Sequence, residues 1–178
     1  MFNRTIINDL KHWKEQKDRK PLMMLGARQV GKTSVLKRFG RECFEHCVYF
    51  SLDEEAGVCD IFRTTKNPTQ IIEQLSYLTD EPILPEKTLL VLDEIQDCPE
   101  AISSMKYFCE KTPEYAIACA GSLLGLAFGH EGFSFPVGKV DHINMYPVTF
   151  SEFLEQKDSG LYRYYKSIDS IEPLPQVF

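Results

Sequence analysis

The chain lacks an uninterrupted apolar stretch long enough to cross a bilayer. Its longest run without a charged side chain, Tyr115 to Gly129, covers 15 residues and holds three glycines, against the roughly 20 that a spanning helix needs. A soluble chain with no membrane partner is therefore expected. There is no Cys-x-x-Cys pair. The six cysteines, at 43, 47, 59, 98, 109 and 119, fall in apolar or helical stretches, and no secretory leader is visible. A chain of this size needs no disulfides to hold a core, so reduced thiols in a cytoplasm are the simpler expectation. Cys43, His46 and Cys47 lack the second ligand pair of a zinc finger. Ten glycines and ten prolines in 178 residues are too few for a fibre or a low-complexity linker, and no internal repeat is present. The net charge of −6 argues against a generally basic nucleic-acid coat.

The positive charge that is present is unevenly placed. Residues 1–41 carry eleven Lys/Arg against three Asp/Glu, and residues 42–178 carry nine against twenty-three. The basic end is either a candidate anion site or the solvated face of a first helix. Helical spacing of Ile6, Ile7, Leu10 and Trp13 predicts such a helix over about 5–17. Apolar runs at 21–25, 47–52, 88–92, 115–120 and 140–146 predict five strands. The first four are continuous rather than alternating, as expected of parallel strands covered on both faces. Helices are expected from Lys32 to a stop at Gly40, from Asn67 with Leu78 on the buried face, and from Pro99. Residues 125–138 suggest a hairpin or loop, and Thr149-x-x-Glu152 is a capping box opening a further helix.

The sharpest signal is Gly26-Ala27-Arg28-Gln29-Val30-Gly31-Lys32-Thr33-Ser34, which satisfies G-x-x-x-x-G-K-[ST] between an expected strand and an expected helix. A polyphosphate is a dense anion, best held by several backbone N–H groups converging at a helix N-terminus. The two glycines let the loop curl, Lys32 reaches the β- and γ-phosphates, and the Thr33 hydroxyl is placed to ligate Mg²⁺. Arg28 reads more readily as facing solvent or an acid than phosphate. About 60 residues on, Leu89-Leu-Val-Leu92-Asp93-Glu94 ends a strand in two acids. One parallel α/β unit lies between, which brings both strand ends to one sheet edge. Asp93 is the candidate metal acid and Glu94 the candidate general base. Gln96 and Asp97 are weighed for orienting water, and Asp97 also for capping the next helix. Ser122, ending the fourth strand after Ala120-Gly121, is the candidate γ-phosphate contact, with a strand-terminating turn as the alternative.

With these elements in place the chain resembles the prokaryotic AAA-type P-loop ATPases of unknown function, whose ATPase domain is followed by a C-terminal domain. The resemblance rests on 26–33, Leu92-Asp-Glu-Ile-Gln96, Ser104-Met-Lys-Tyr-Phe108, Ala120-Gly-Ser-Leu-Leu-Gly125, Phe135-Pro-Val-Gly138 and Met145-Tyr-Pro-Val-Thr-Phe-Ser-Glu-Phe-Leu154. It implies a three-layer α/β/α sandwich with a mainly parallel sheet ordered 5-1-4-3-2. It implies an ATPase core over 1–148 and the start of a helical lid over 149–178. Family members are about twice this length, so the chain is expected to stop within the lid. The resemblance gives Lys32, Glu94 and Ser122 catalytic places and Thr33 and Asp93 the metal. Arg63 and Arg163 are the only arginines weighed as trans-acting fingers.

The function expected is Mg²⁺-dependent ATP binding and hydrolysis by an AAA-type switch module. The alternative is a nucleotide-regulated nucleic-acid-binding regulator with slow or no hydrolysis. Expected partners are a nucleotide, further copies of the chain, and a C-terminal domain or protein client; nucleic acid stays open. GTP is disfavoured because Thr65-Lys66-Asn67-Pro68 lacks the Asp of a guanine-selecting element. A small-molecule kinase is disfavoured by an acid beside Asp93.

Overall fold

The computed structural model describes residues 4–122 and 135–168. Five strands form one sheet: β1 (Leu22–Gly26), β2 (His46–Ser51), β3 (Thr88–Asp93), β4 (Ala116–Ser122) and β5 (Asp141–Met145). Their spatial order is β2-β3-β4-β1-β5, and every adjacent pair is parallel. This is the α/β sheet expected from the apolar runs. Helix α1 (Ile6–Glu15) precedes β1. Parallel strands need crossovers, and among the described residues these are supplied by α2 (Lys32–Cys43), α3 (Ala56–Thr64), α4 (Pro68–Ser76) and α5 (Pro99–Lys111).

The sheet separates two cores. Because successive side chains alternate across a strand, Met23, Leu90, Leu92, Ile117 and Cys119 pack with α3, α4 and α5. Leu22, Met24, Leu89, Val91, Ala118 and Ala120 pack with α1 and α2. Phe39, Phe62 and Phe108 are among the largest fully buried side chains, each worth about 1.5–3 kcal/mol relative to exposure. A surface pair such as Arg38–Glu42, four residues apart on α2 at 2.6 Å, contributes only about 0.3–0.5 kcal/mol. Apolar burial therefore carries the fold. β2 and β5 are the two edge strands, and their partial exposure follows from each having one neighbour.

Three local expectations are corrected. Gly40 does not stop α2, which runs on to Cys43. Its missing side chain serves packing instead, since a Cβ there would come within 2.2 Å of Cys47 Sγ. Leu78 lies beyond the end of α4 and is 54% exposed. Asp97 does not cap α5, whose N-cap is Cys98 with no side-chain cap bond; its carboxylate accepts from Gln96. Asn67 does cap α4, accepting from the Thr69 amide. Helix α3, with Val58, Cys59, Ile61 and Phe62 buried, is an element that the sequence reading omits. The hairpin or loop expected over 125–138 lies in large part outside the described residues.

Residues 148–168 and the start of the chain form a separate compact unit from 6–147. Within it, α6 (Phe150–Lys157) opens on the expected capping box, with the Thr149 hydroxyl accepting from the Glu152 amide and the Glu152 carboxylate from the Thr149 amide. Asp158 then caps α7 (Ser159–Ser167) through the Gly160 and Leu161 amides, each at 2.9 Å. Glu152 is buried and also receives the Thr5 amide at 2.9 Å, the Thr5 hydroxyl at 3.0 Å and Arg4 Nε at 3.3 Å. Burial alone pushes its carboxyl upward, but the Thr149 and Thr5 donors and Arg4 outweigh this and hold it down at about 2. A depressed acid stabilises the fold above its unfolded value, and that contribution fades as pH falls from about 4.5 toward 2. Glu152→Gln is therefore expected to be less stable than wild type at pH 6, with the difference closing toward pH 2 in urea titrations. A difference independent of pH contradicts the assignment.

Candidate functional site

The carboxyl ends of the strands meet along one edge. Gly26 pairs in register with Ser122 on one side and Met145 on the other, Ser51 pairs with Asp93, and Leu92 with Cys119. The loop 27–31, the acids after β3 and the end of β4 therefore open onto the same side of the sheet, as required of a ligand crevice in this topology.

The loop is shaped by two residues in the left-handed region, Gln29 at φ 63° and Gly31 at φ 94°. Gly31 tolerates this without a Cβ penalty; the pair bends the main chain between β1 and α2 into the concave turn that suits an anion. Gly31 is also the N-cap of α2 and supplies no side-chain cap, so the amides of the first turn are not claimed by a capping side chain. Lys32 is buried, and its ammonium reaches back over the loop to the carbonyls of Gly26 at 3.1 Å and Ala27 at 2.8 Å. Ala27, Arg28, Gln29 and Ser34 are exposed, and Val30 is half-buried.

Asp93 is the centre of the arrangement. It is 3% exposed, yet its carboxylate has donors from three elements: the Thr33 hydroxyl of α2, the Tyr49 hydroxyl of β2 at 3.1 Å, and the Glu94 amide at 3.0 Å. Burying a carboxylate is tolerable only with such compensation. Thr33 and Asp93 offer hard oxygen donors at a single point, which suits Mg²⁺. Glu94 follows at φ 49°, an uncommon conformation for a residue with a side chain. The Glu94 carboxylate accepts from Gln96 Nε2 at 2.6 Å. Ser122 is buried, and its amide donates to Gln96 Oε1 at 3.3 Å.

The residues singled out from sequence, Gly26 to Ser34, Asp93, Glu94 and Ser122, thus lie along one edge. Arg63 is exposed, paired with Asp60 at 2.9 Å and lying 3.9 Å from Glu100. Arg163, in the other unit, is exposed and donates to the Ser159 carbonyl. Among the described residues no cluster of three His, Cys, Asp or Glu side chains could hold a metal, and no helix is long and apolar enough to cross a membrane.

Tyr49 was not visible as a site residue. It sits inside an ordinary apolar strand run, and only the β2–β3 register brings it to Asp93. Lys37 Nζ lies 3.3 Å from its ring centroid, and burial together with the Asp93 charge pushes its hydroxyl pKa up. Tyr49 therefore stays a proton donor to Asp93 at neutral pH. Tyr49→Phe keeps the ring under Lys37 and removes one bond to a buried charge; a loss of about 1.5–3 kcal/mol in urea unfolding is expected. An unchanged midpoint contradicts this role.

The family model of the AAA domain matches residues 18–154, a stretch that includes the loop, Asp93, Glu94 and Ser122. No protein with a curated description matches the chain by sequence. Among solved structures, the fold is similar to PCH-2 of C. elegans at 12% identity and TM-score 0.51, over 97% of this chain and 50% of that one. It also aligns with AMPPCP-bound DnaA from Aquifex aeolicus at 14% identity and TM-score 0.47, over 95% and 51%. A third is the Bacteroides Pif1 helicase in complex with ADP-AlF3 and ssDNA, at 15% identity and TM-score 0.48, over 84% and 43%. The chain spans about half the length of these solved chains. At such identity the likeness to PCH-2 bears on the fold alone.

Proposed function

The chain belongs to the AAA domain family, a nucleotide-binding module, and from that premise we propose that it binds ATP with Mg²⁺ and hydrolyses it. The observation that carries this reading is the meeting of Thr33 and Asp93 directly after a loop whose Gly26 and Ala27 carbonyls hold the Lys32 ammonium.

In this reading the amides of residues 27–34 hold the phosphate tail and Lys32 exchanges its carbonyl partners for β- and γ-phosphate oxygens. Thr33 and Asp93 would hold Mg²⁺, and the ion would supply positive charge to offset the negative charge that develops in the transfer. Glu94 takes a proton from water while the water oxygen bonds to the γ-phosphorus. The bond from that phosphorus to the bridging oxygen breaks, and its electron pair leaves with ADP. Ser122 contacts the γ-phosphate side of the site. Residues 149–168 are the beginning of the helical lid, a cytoplasmic location fits the thiol content, and copies of the chain or a further domain act as partners.

The basic first 41 residues give less support to a nucleic-acid role than their charge suggests. Lys14 donates to the Cys43 carbonyl, Arg19 pairs with Glu86 at 3.2 Å, and Lys32 is committed to the loop. Much of that charge serves the chain's own structure.

Lys32→Ala is expected to weaken nucleotide binding at least tenfold in a titration with a fluorescent ATP analogue. Glu94→Gln is expected to bind within threefold of wild type yet lose about 10²- to 10⁴-fold in turnover. Wild-type turnover in both variants refutes the reading.

A further inference from the structure

The side chain of Gln96 joins the two parts of the site that sequence treats separately. It lies in a single 3-10 turn, Ile95–Asp97, directly after Glu94. Its Oε1 accepts from the Ser122 amide of β4 at 3.3 Å, while Nε2 donates to Glu94 Oε2 at 2.6 Å and to Asp97 Oδ2 at 2.9 Å. The orientation of this amide is chemically forced. A backbone N–H can only donate and ionised carboxylates can only accept, so the oxygen must face Ser122 and the nitrogen the two acids. With one N–H given to each carboxylate, both amide hydrogens are used.

The fold also makes room for this group. A Cβ on Gly121 would meet Gln96 Oε1 at 3.1 Å and Ile95 Cγ2 at 3.0 Å, tighter than ordinary contact. Glycine at 121 therefore lets the amide lie against the end of β4. Glu94, held at φ 49°, is the N-cap of the 3-10 turn but makes no side-chain cap bond. Its carboxylate is left to the Gln96 amide.

We propose that Gln96 is the positioning residue for Glu94 in ATP hydrolysis. Its amide binds one carboxylate oxygen, fixing the side chain and leaving the other oxygen to receive the proton from water. Its second bond ties that carboxylate to the backbone of Ser122, so a shift of the β4 end on nucleotide binding is passed to the base. This inference rests on the hydrolytic reading above, and it deepens that reading by naming what aims the base and which strand reports to it.

The test is steady-state and single-turnover ATP hydrolysis by wild type, Gln96→Leu, Gly121→Ala, Glu94→Gln and the double variant Gln96→Leu/Glu94→Gln. Binding of a fluorescent ATP analogue and urea unfolding are measured alongside. Gln96→Leu keeps the volume and removes the amide; Gly121→Ala keeps the amide and crowds it. Both are expected to lower kcat about 10- to 100-fold, the range a misplaced catalytic group produces, with KM and analogue affinity within threefold of wild type. Because Gln96 acts through Glu94, adding Gln96→Leu to Glu94→Gln is expected to cost less than twofold more. An unchanged kcat in Gln96→Leu overturns the proposal. So does a loss in the double variant equal to the product of the single losses, or a parallel rise in KM. If Gln96→Leu unfolds, Gly121→Ala with kcat unchanged overturns it alone. Absence of turnover in wild type removes the hydrolytic reading and this inference together, whereas turnover lost in Glu94→Gln but kept in Gln96→Leu removes only the inference.

Discussion

A carboxylate that is 3% exposed needs hydrogen-bond donors in place of water, and Asp93 has them from three directions. Thr33 begins the helix after the phosphate loop, Tyr49 belongs to a neighbouring strand, and the Glu94 amide fixes the turn that follows β3. The Thr33 and Tyr49 bonds join elements remote in sequence, 60 and 44 residues from Asp93, so the loop, the sheet and the acid turn settle their positions together. The parallel register makes this possible by ending β1, β3 and β4 at one edge. Moving one strand by a residue would turn Asp93 to the opposite face and leave a buried charge without partners.

Much of this was legible in the sequence because it depends on local rules. The apolar runs give buried parallel strands. The G-x-x-x-x-G-K-T string gives a loop between strand and helix, and the pair after Leu92 gives an acid at a strand tip. What the sequence did not disclose depends on packing between distant segments. Tyr49 looks like any aromatic in a strand, and its role follows from pairing with β3. Gly40 reads as a helix stop, but close approach of Cys47 is what demands a glycine there. Asp97 has the type and position of a helix cap, yet the Gln96 amide competes for it and wins. Helix α3 is not legible because its nine residues are entered by three consecutive acidic positions, Asp53 to Glu55, that resemble a loop.

The site is also a connected electrostatic unit. Lys32 and Lys37 bring positive charge to a sheet edge where Asp93 and Glu94 bring negative charge, and hydroxyl and amide groups separate them. Such networks act cooperatively when every member is satisfied. The unit containing α6 and α7 has its own anchor of the same kind, a buried Glu152 held by main-chain and side-chain donors. In both units, one buried acid organises the polar groups around it.

The most direct test is a crystal structure of the chain with Mg²⁺ and a non-hydrolysable ATP analogue. The account predicts phosphate oxygens against the main-chain amides of 27–34, Lys32 turned from the Gly26 and Ala27 carbonyls to the phosphates, and Mg²⁺ beside Thr33 and Asp93. A nucleotide bound elsewhere, with the Lys32 and Thr33–Asp93 contacts unchanged, would contradict it.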